Sequence, residues 1–362
     1  MNIEALARPE IVAMKPYSSA RKEAPGKGIL LNANEAPWPL LGEEAIESAL
    51  NRYPEPQPAE LVISLARLYQ VPTETVLITR GSDEGIDLLT RVFCGAGKDA
   101  ILQCPPTFGM YRIAAQTQGA DVVSVARDSE NGFSNDEPAI LDALDTDQRI
   151  KLVFLTSPNN PTGDVIEETF LRQILQRAQG RALVVVDEAY AEFCQLPSTT
   201  GLIQEYENLV VLRTMSKAWA AAGLRCGTVL AQPSVISLLR RVIAPYPLPS
   251  PVVGLAQRML EPDILKKQEK LLLKIRQNKM ALLENLERRP FIKELLPGQA
   301  NFVLIRTDNS EGLLAFCAQR NVIIRAYPAD PVLRDWLRIS VGSEQDIQAL
   351  SDSLDEWEKN SG

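Results

Sequence analysis

Thr214-Met215-Ser216-Lys217-Ala218-Trp219 places a lysine just after an apolar run, and Arg225 follows eight residues later in Gly223-Leu224-Arg225-Cys226-Gly227. Two earlier stretches also begin where apolar runs end: Ser157-Pro158-Asn159-Asn160-Pro161-Thr162-Gly163 and Asp187-Glu188-Ala189-Tyr190. A lysine in small, partly apolar surroundings is poorly hydrated, so its amine is more readily neutral and can attack a carbonyl. An arginine suits a dianionic phosphate, because its planar fork binds two oxygens and keeps its charge. Asp187 ends a run of three valines, and a carboxylate buried there needs a cationic partner such as a protonated ring nitrogen. Asn160 and Tyr190 can donate to a phenolic oxygen, which favours its charged form.

Singly, each group has a plainer local reading. Lysines in such settings are mostly hydrated surface groups, Asp187 can cap the turn after it, and Asn-Pro with glycine marks turns generally. Gly81-Ser82-Asp83 opens a helix, so it either holds an anion on free backbone N–H groups or caps itself. Phe108, in Cys104-Pro105-Pro106-Thr107-Phe108-Gly109, either stacks on a flat ring or fills the core. Taken together and in this order, the residues supply every group needed to hold pyridoxal 5'-phosphate. Lys217 meets the aldehyde, Asp187 the ring nitrogen, Asn160 and Tyr190 the phenolic oxygen, and Arg225 the phosphate.

Other chemistries lose ground. The 362 residues include no histidine, which removes imidazole catalysis, Ser–His triads and histidine metal sites, and leaves lysine, tyrosine or carboxylates to move protons. No metal site is expected. Gly95-Ala96-Gly97-Lys98 lacks the Ser/Thr and the glycine spacing of a phosphate loop, and no G-x-G-x-x-G supports a nicotinamide cofactor. A formal charge of −8 without a long basic run argues against nucleic acid. Five dispersed cysteines without a C-x-x-C pair read as reduced thiols of a cytoplasmic protein. Met1 to Glu23 is charged throughout, unlike a signal peptide, and no run approaches the ~18 apolar residues of a membrane span.

The elements that must position these groups are short apolar runs alternating with helical patterns. Val76-Leu77-Ile78, Ile101-Leu102, Val122-Val123, Leu152 to Leu155, Leu183 to Val186 and Leu209 to Leu212 read as buried strands of a mostly parallel α/β sheet. Ligands in such sheets bind at the carboxyl ends of strands. After the proline-rich Pro245 to Pro251, a helix is expected from about Asp263 to Arg289, with Leu272, Ile275, Leu282 and Leu286 on one face. It reads as a connector leading to a smaller α/β domain with strands near Phe302 to Ile305 and Leu337 to Val341. The expected division is an N-terminal arm (1–30), a large cofactor-binding domain (31–250), and the connecting helix with a small C-terminal domain (251–362).

On these residues the chain resembles the fold-type I aminotransferases, from near residue 30 to beyond 340. Leu31 to Glu35, Arg52-Tyr53-Pro54-Glu55, Arg80 to Gly85, Ala244 to Leu248 and Leu337 to Gly342 resemble the histidinol-phosphate aminotransferase branch. The resemblance implies a fold-type I fold and a homodimer with shared active sites. Lys217 would bond the cofactor and shuttle the proton. Asp187 would face the ring nitrogen, and Asn160 and Tyr190 the phenolic oxygen. The phosphate would be held by the Ser82 and Asp83 backbone, Thr214, Ser216 and Arg225, with Tyr53 reaching it in the partner subunit. Arg338 would bind the substrate anion, helped by Tyr17 and Arg325 at a substrate phosphate, with Asn34 also in the substrate-binding set. Phe108 stands where that branch often has tyrosine, so stacking survives and a hydroxyl contact is lost.

The implied reaction is ping-pong transamination of imidazole-acetol phosphate with glutamate, giving histidinol phosphate and 2-oxoglutarate. A threonine-phosphate decarboxylase or an aromatic or broad-range aminotransferase of the same fold is the alternative. A regulator that keeps only the cofactor domain fits less well, since every catalytic position is filled.

Overall fold

A computed structural model describes residues 2–16, 32–38 and 50–361. Seven strands form one sheet: β1 (Val76–Thr79), β2 (Ala100–Gln103), β3 (Asp121–Ser124), β4 (Ile150–Thr156), β5 (Leu183–Asp187), β6 (Leu209–Thr214) and β7 (Gly227–Ala231). Their order is β1-β7-β6-β5-β4-β2-β3. The strands from β6 across to β3 run parallel, and β7 runs antiparallel to both β6 and β1.

Apolar residues fill these strands because both faces are covered. Alternate side chains feed two separate cores. Val153, Leu155, Val184 and Val186 join helices Ala59–Tyr69 and Glu168–Ala178 on one side. Leu152, Phe154, Val185 and Leu212 join helices Ser82–Phe93, Met110–Gln118 and Pro233–Val242 on the other. Thr156 lies opposite Asp187, and Asp187 opposite Leu212. The loops leaving β4, β5 and β6 therefore emerge side by side.

A second sheet contains β8 (Ile292–Leu296), β9 (Phe302–Thr307), β10 (Arg325–Ala326) and β11 (Trp336–Ser340), antiparallel throughout in the order β10-β11-β9-β8. Helix Pro262–Glu287 joins the two sheets, starting one residue before the expected span and ending two short of it. Leu272 and Ile275 pack on the core of the large sheet, while Leu282 and Leu286 are buried in that of the small one. One apolar stripe thus serves two cores in succession. Among the described residues, no helix is long and apolar enough to cross a membrane.

Candidate active site

A cleft of about 480 Å³ opens where β4, β5 and β6 end, and part of its wall comes from β10, β11 and the segment between them. Asp187, Tyr190, Lys217, Asn160, Ser82, Asp83, Phe108, Thr214, Ser216, Arg225, Arg325 and Arg338 all line it. Residues separated by more than 250 positions in sequence meet there because three adjacent strand ends and the edge of the second sheet converge.

Asp187 is 2% exposed. Its Oδ2 accepts a bond from the Tyr111 hydroxyl at 2.8 Å, and its Oδ1 accepts from Ala189 N at 3.1 Å. Burial pushes its pKa up to about 6, although both donors pull the other way. Among the described residues no cation lies in ion-pair contact with it. A carboxylate so enclosed has a strong unmet demand for positive charge.

Just behind it, the buried Arg213 bonds Glu188 at 2.6 Å and Glu192 at 2.8 Å, and covers the Tyr69 ring at 5.0 Å. Glu188 follows Asp187 and Arg213 precedes Thr214, so this pair ties together the ends of the strands that carry Asp187 and Lys217.

Lys217 opens into the cleft with its Nζ 5.6 Å from the centre of the Tyr190 ring. Its pKa lies below the usual lysine value, through desolvation first and then the Arg338 charge, with Asp83 opposing. Tyr190 is buried and its phenol is pushed up to about 12 by burial, so it stays a proton donor near neutrality.

The helix Ser82–Phe93 points its N-terminus at the same space, and its N-cap, Gly81, offers no side-chain cap. The capping alternative for Ser82 and Asp83 is thus not what the fold adopts. Gly81 has φ +78°, and a Cβ there would stand 2.7 Å from Arg225 Nη2. Arg225 Nη1 donates to Ser216 Oγ at 3.2 Å, Nη2 donates to Asp83 Oδ2 at 3.1 Å, and Thr214 Oγ1 donates to Ser216 Oγ at 2.9 Å. Uncapped N–H groups, hydroxyls and a guanidinium converge as a phosphate requires.

On the opposite wall, Arg338 Nη1 donates to Asn160 Oδ1 and the guanidinium stands 5.2 Å over the Phe302 ring. Its Nε is buried without a partner. Arg325 pairs with Arg338 across β10 and β11.

Two residues of the expected set do not line this cleft: Asn34, and Tyr53, which is expected at a partner's site. Tyr53 is 50% exposed and stacks on Tyr246, with ring centres 4.4 Å apart. Asn34 is exposed, with φ 56°, and is not among the lining residues. Its neighbour Glu35 instead binds Arg52 at 2.8 Å and Tyr53 N at 2.7 Å. Tyr17 lies outside the described residues.

Tyr111, Thr156, Ala189 and Tyr327 also lie in or directly behind the cleft, beyond the site residues expected from the sequence. Tyr111 stands three residues after Phe108, a spacing that puts both on one side of a starting helix. That is the one signal available for it. The Tyr111 proton goes to Asp187, so the Thr156 hydroxyl, 2.7 Å away, must donate to Tyr111. Tyr111→Phe keeps the stack on Phe154, where ring centres are 4.7 Å apart, but strips a donor from a buried carboxylate. We expect a loss of about 1–2 kcal/mol in denaturant unfolding at pH 8, with a smaller loss at pH 5, where Asp187 is largely protonated. Equal losses at both pH values would contradict this account.

The fold agrees with comparison to known proteins. Residues 27–354 match the family model described as aminotransferase class I and II. Histidinol-phosphate aminotransferase of Cronobacter sakazakii is 42% identical over 98% of this chain and 97% of its own. The enzyme of the same name from Aeromonas hydrophila is 44% identical over 97% of each. Among solved structures, the histidinol-phosphate aminotransferase from Clostridium acetobutylicum superposes with a TM-score of 0.79 at 25% identity, covering 86% of this chain and 92% of that one. A full-length match at this level of identity, on a chain whose cleft holds the lysine, acid and arginines together, means that the protein belongs to the aminotransferase class I and II family.

Proposed function

We propose that the chain binds pyridoxal 5'-phosphate in this cleft and transfers the amino group of glutamate to imidazole-acetol phosphate, yielding histidinol phosphate and 2-oxoglutarate. The observation that carries the cofactor is Asp187, an acid enclosed without a cation among the described residues, at the floor of a cleft that also holds Lys217 and an uncapped helix end. A protonated pyridine ring with a phosphate arm answers all three demands. The similarity to histidinol-phosphate aminotransferases over nearly the whole chain supports the substrate.

When bound, the cofactor supplies an aldehyde to take up the amino group and a cationic ring that draws electrons from the substrate. Asp187 holds the ring nitrogen protonated. Tyr190 and Asn160 donate to the phenolic oxygen, and Phe108 with Ala189 bounds the slot for a flat ring. The phosphate is bound by the N–H groups of Ser82 and Asp83, by Thr214 and Ser216, and by Arg225. Lys217 Nζ, neutral more often than an ordinary lysine, takes the proton from the substrate Cα and holds it on one face.

Arg338 binds the carboxylate of glutamate. With Arg325 it binds the phosphate of the other substrate, since a cationic fork accepts either anion. Tyr17 and Asn34 complete this set in the same reading. Tyr53 stands away from its own chain's cleft and serves the phosphate site of a second copy in a homodimer, which works in the cytoplasm. Residues 31–250 form the large cofactor-binding domain and 251–362 the connecting helix and small C-terminal domain, with 1–30 as an N-terminal arm.

The test is an absorbance titration of the loaded protein. Glutamate should shift the cofactor's visible band, and imidazole-acetol phosphate should restore it. Carbon dioxide released from threonine phosphate, with no response to glutamate, would reassign the chain as a decarboxylase.

A further inference from the structure

Lys279, within the helix Pro262–Glu287, donates to two carbonyl oxygens of a single turn, Gly298 O at 2.9 Å and Ala300 O at 2.7 Å. Burial alone moves its pKa, down to about 8, so carbonyl dipoles rather than an acid hold this ammonium group. The turn it grips is pressed against the loop that leaves β4. Gly163 and Gly298 have φ of +77° and +50°, and a Cβ on either would stand 2.7 or 2.6 Å from the other's Cα. Gln299 N donates to Gly163 O at 2.6 Å.

Both ends of this contact lead to the cleft. Three residues before Gly163 is Asn160, whose Oδ1 accepts from Arg338. Two residues after Ala300 is Phe302, whose ring meets Tyr190 edge-on at 5.3 Å and lies 5.2 Å beneath the Arg338 guanidinium. The 298–300 turn is thus where the wall carrying Arg338 is fastened to the loop carrying Asn160.

We propose that Lys279 is a positioning residue for the substrate-anion site: by pinning the Gly298–Ala300 turn against Gly163, it sets Arg338 relative to Asn160 and the reacting centre. The inference rests on the reading of Arg338 as the group that binds the substrate carboxylate. Lys279 touches no substrate itself. Its removal lets the turn relax from Gly163, so the fork of Arg338 meets the carboxylate off its best geometry. Binding of the anion is weakened while the chemistry at Lys217 and Asp187 is left in place.

Lys279→Met keeps the stem and removes the charge and the donors. In the holoenzyme the KM for glutamate should rise about 10-fold, the scale of a lost charge-assisted hydrogen bond, with kcat changed less than about twofold. Affinity for pyridoxal 5'-phosphate, read by absorbance titration of the apoprotein, should not change. Lys279→Arg, which can still span both carbonyls, should recover most of the loss.

Gly298→Ala forces the same two turns apart and should reproduce the KM-selective defect, which keeps the test open if Lys279→Met does not fold. A fall in melting temperature with the KM for glutamate unmoved would overturn the proposal. So would a defect shared equally by kcat and cofactor affinity, or the absence of rescue by arginine. Arg338→Gln separates the two levels. If it leaves the KM for glutamate unchanged, the anion site itself is misread; if it raises that KM while Lys279→Met does not, only the role of Lys279 fails.

Discussion

Replacing Lys217 with alanine is expected to abolish covalent retention of the cofactor and nearly all turnover, while leaving the cofactor able to bind. The groups proposed to hold the phosphate and the ring nitrogen do not depend on Lys217: Arg225 is fixed by Ser216 and Asp83, and Asp187 by Tyr111 and Ala189. What is lost is the one amine that lines the cleft among the described residues. Its pKa is depressed by burial and by Arg338, so it gives up its proton more readily than an ordinary lysine.

The chain has no histidine to stand in, and Tyr190, its phenol pushed up to about 12 by burial, stays protonated near neutrality and has no phenolate free to take the proton. Loss of a positioned acid–base group alone typically costs about 10²–10⁴-fold, and the amine's covalent role adds to that. Borohydride treatment of the loaded variant should leave no chromophore attached to the denatured chain, whereas the wild-type chain should keep it. A variant that retains a tenth of wild-type turnover would contradict the assignment.

Much of this site was legible because its groups sit at strand ends. Three uninterrupted runs, Leu152 to Leu155, Leu183 to Val186 and Leu209 to Leu212, announce central parallel strands. Parallel pairing then puts Thr156, Asp187 and Thr214 at one edge with no further information. The connector helix was equally plain, since its apolar stripe has one period over its whole length.

The strands that escaped notice lack such a signal. β7 follows Arg225 with only Cys226 between them, and β8 alternates poorly, with two exposed residues inside it. Tyr111 was missed for a different reason: a fully buried tyrosine on a helix looks like core, and only the third dimension shows its hydroxyl reaching a carboxylate 76 positions away. Lys279 and Gly298 likewise carry no motif. Their relation exists only because the turn between β8 and β9 comes back to the connector helix and to the loop that leaves β4.

Asp187→Asn should stabilise the protein without its cofactor and disable it with the cofactor. The carboxyl's folded pKa, about 6, stands above its usual 3.8. The folded state therefore binds the proton more tightly than the unfolded chain. Stability from this group is present at low pH and lost as the pH rises towards 6, a difference of roughly 3 kcal/mol. Asparagine keeps an oxygen for Tyr111 and carries no charge to bury. Its own N–H groups need acceptors, which takes back part of the gain and leaves about 1–2 kcal/mol at pH 8.

Urea unfolding of the apoprotein should show the variant ahead of wild type at pH 8, with the gap narrowing by pH 5. A variant less stable at pH 8, or a gap that widens on acidification, would sink the assignment of Asp187 as an uncompensated buried anion. Supplying the cofactor reverses the ranking, because only the carboxylate can pair with a protonated ring nitrogen. Turnover of the variant should fall by about 10²–10³-fold or more, the usual loss when a charge-stabilising group is removed. The same charge that weakens the empty fold is thus the one that the bound ring requires, so stability and activity at this position pull in opposite directions.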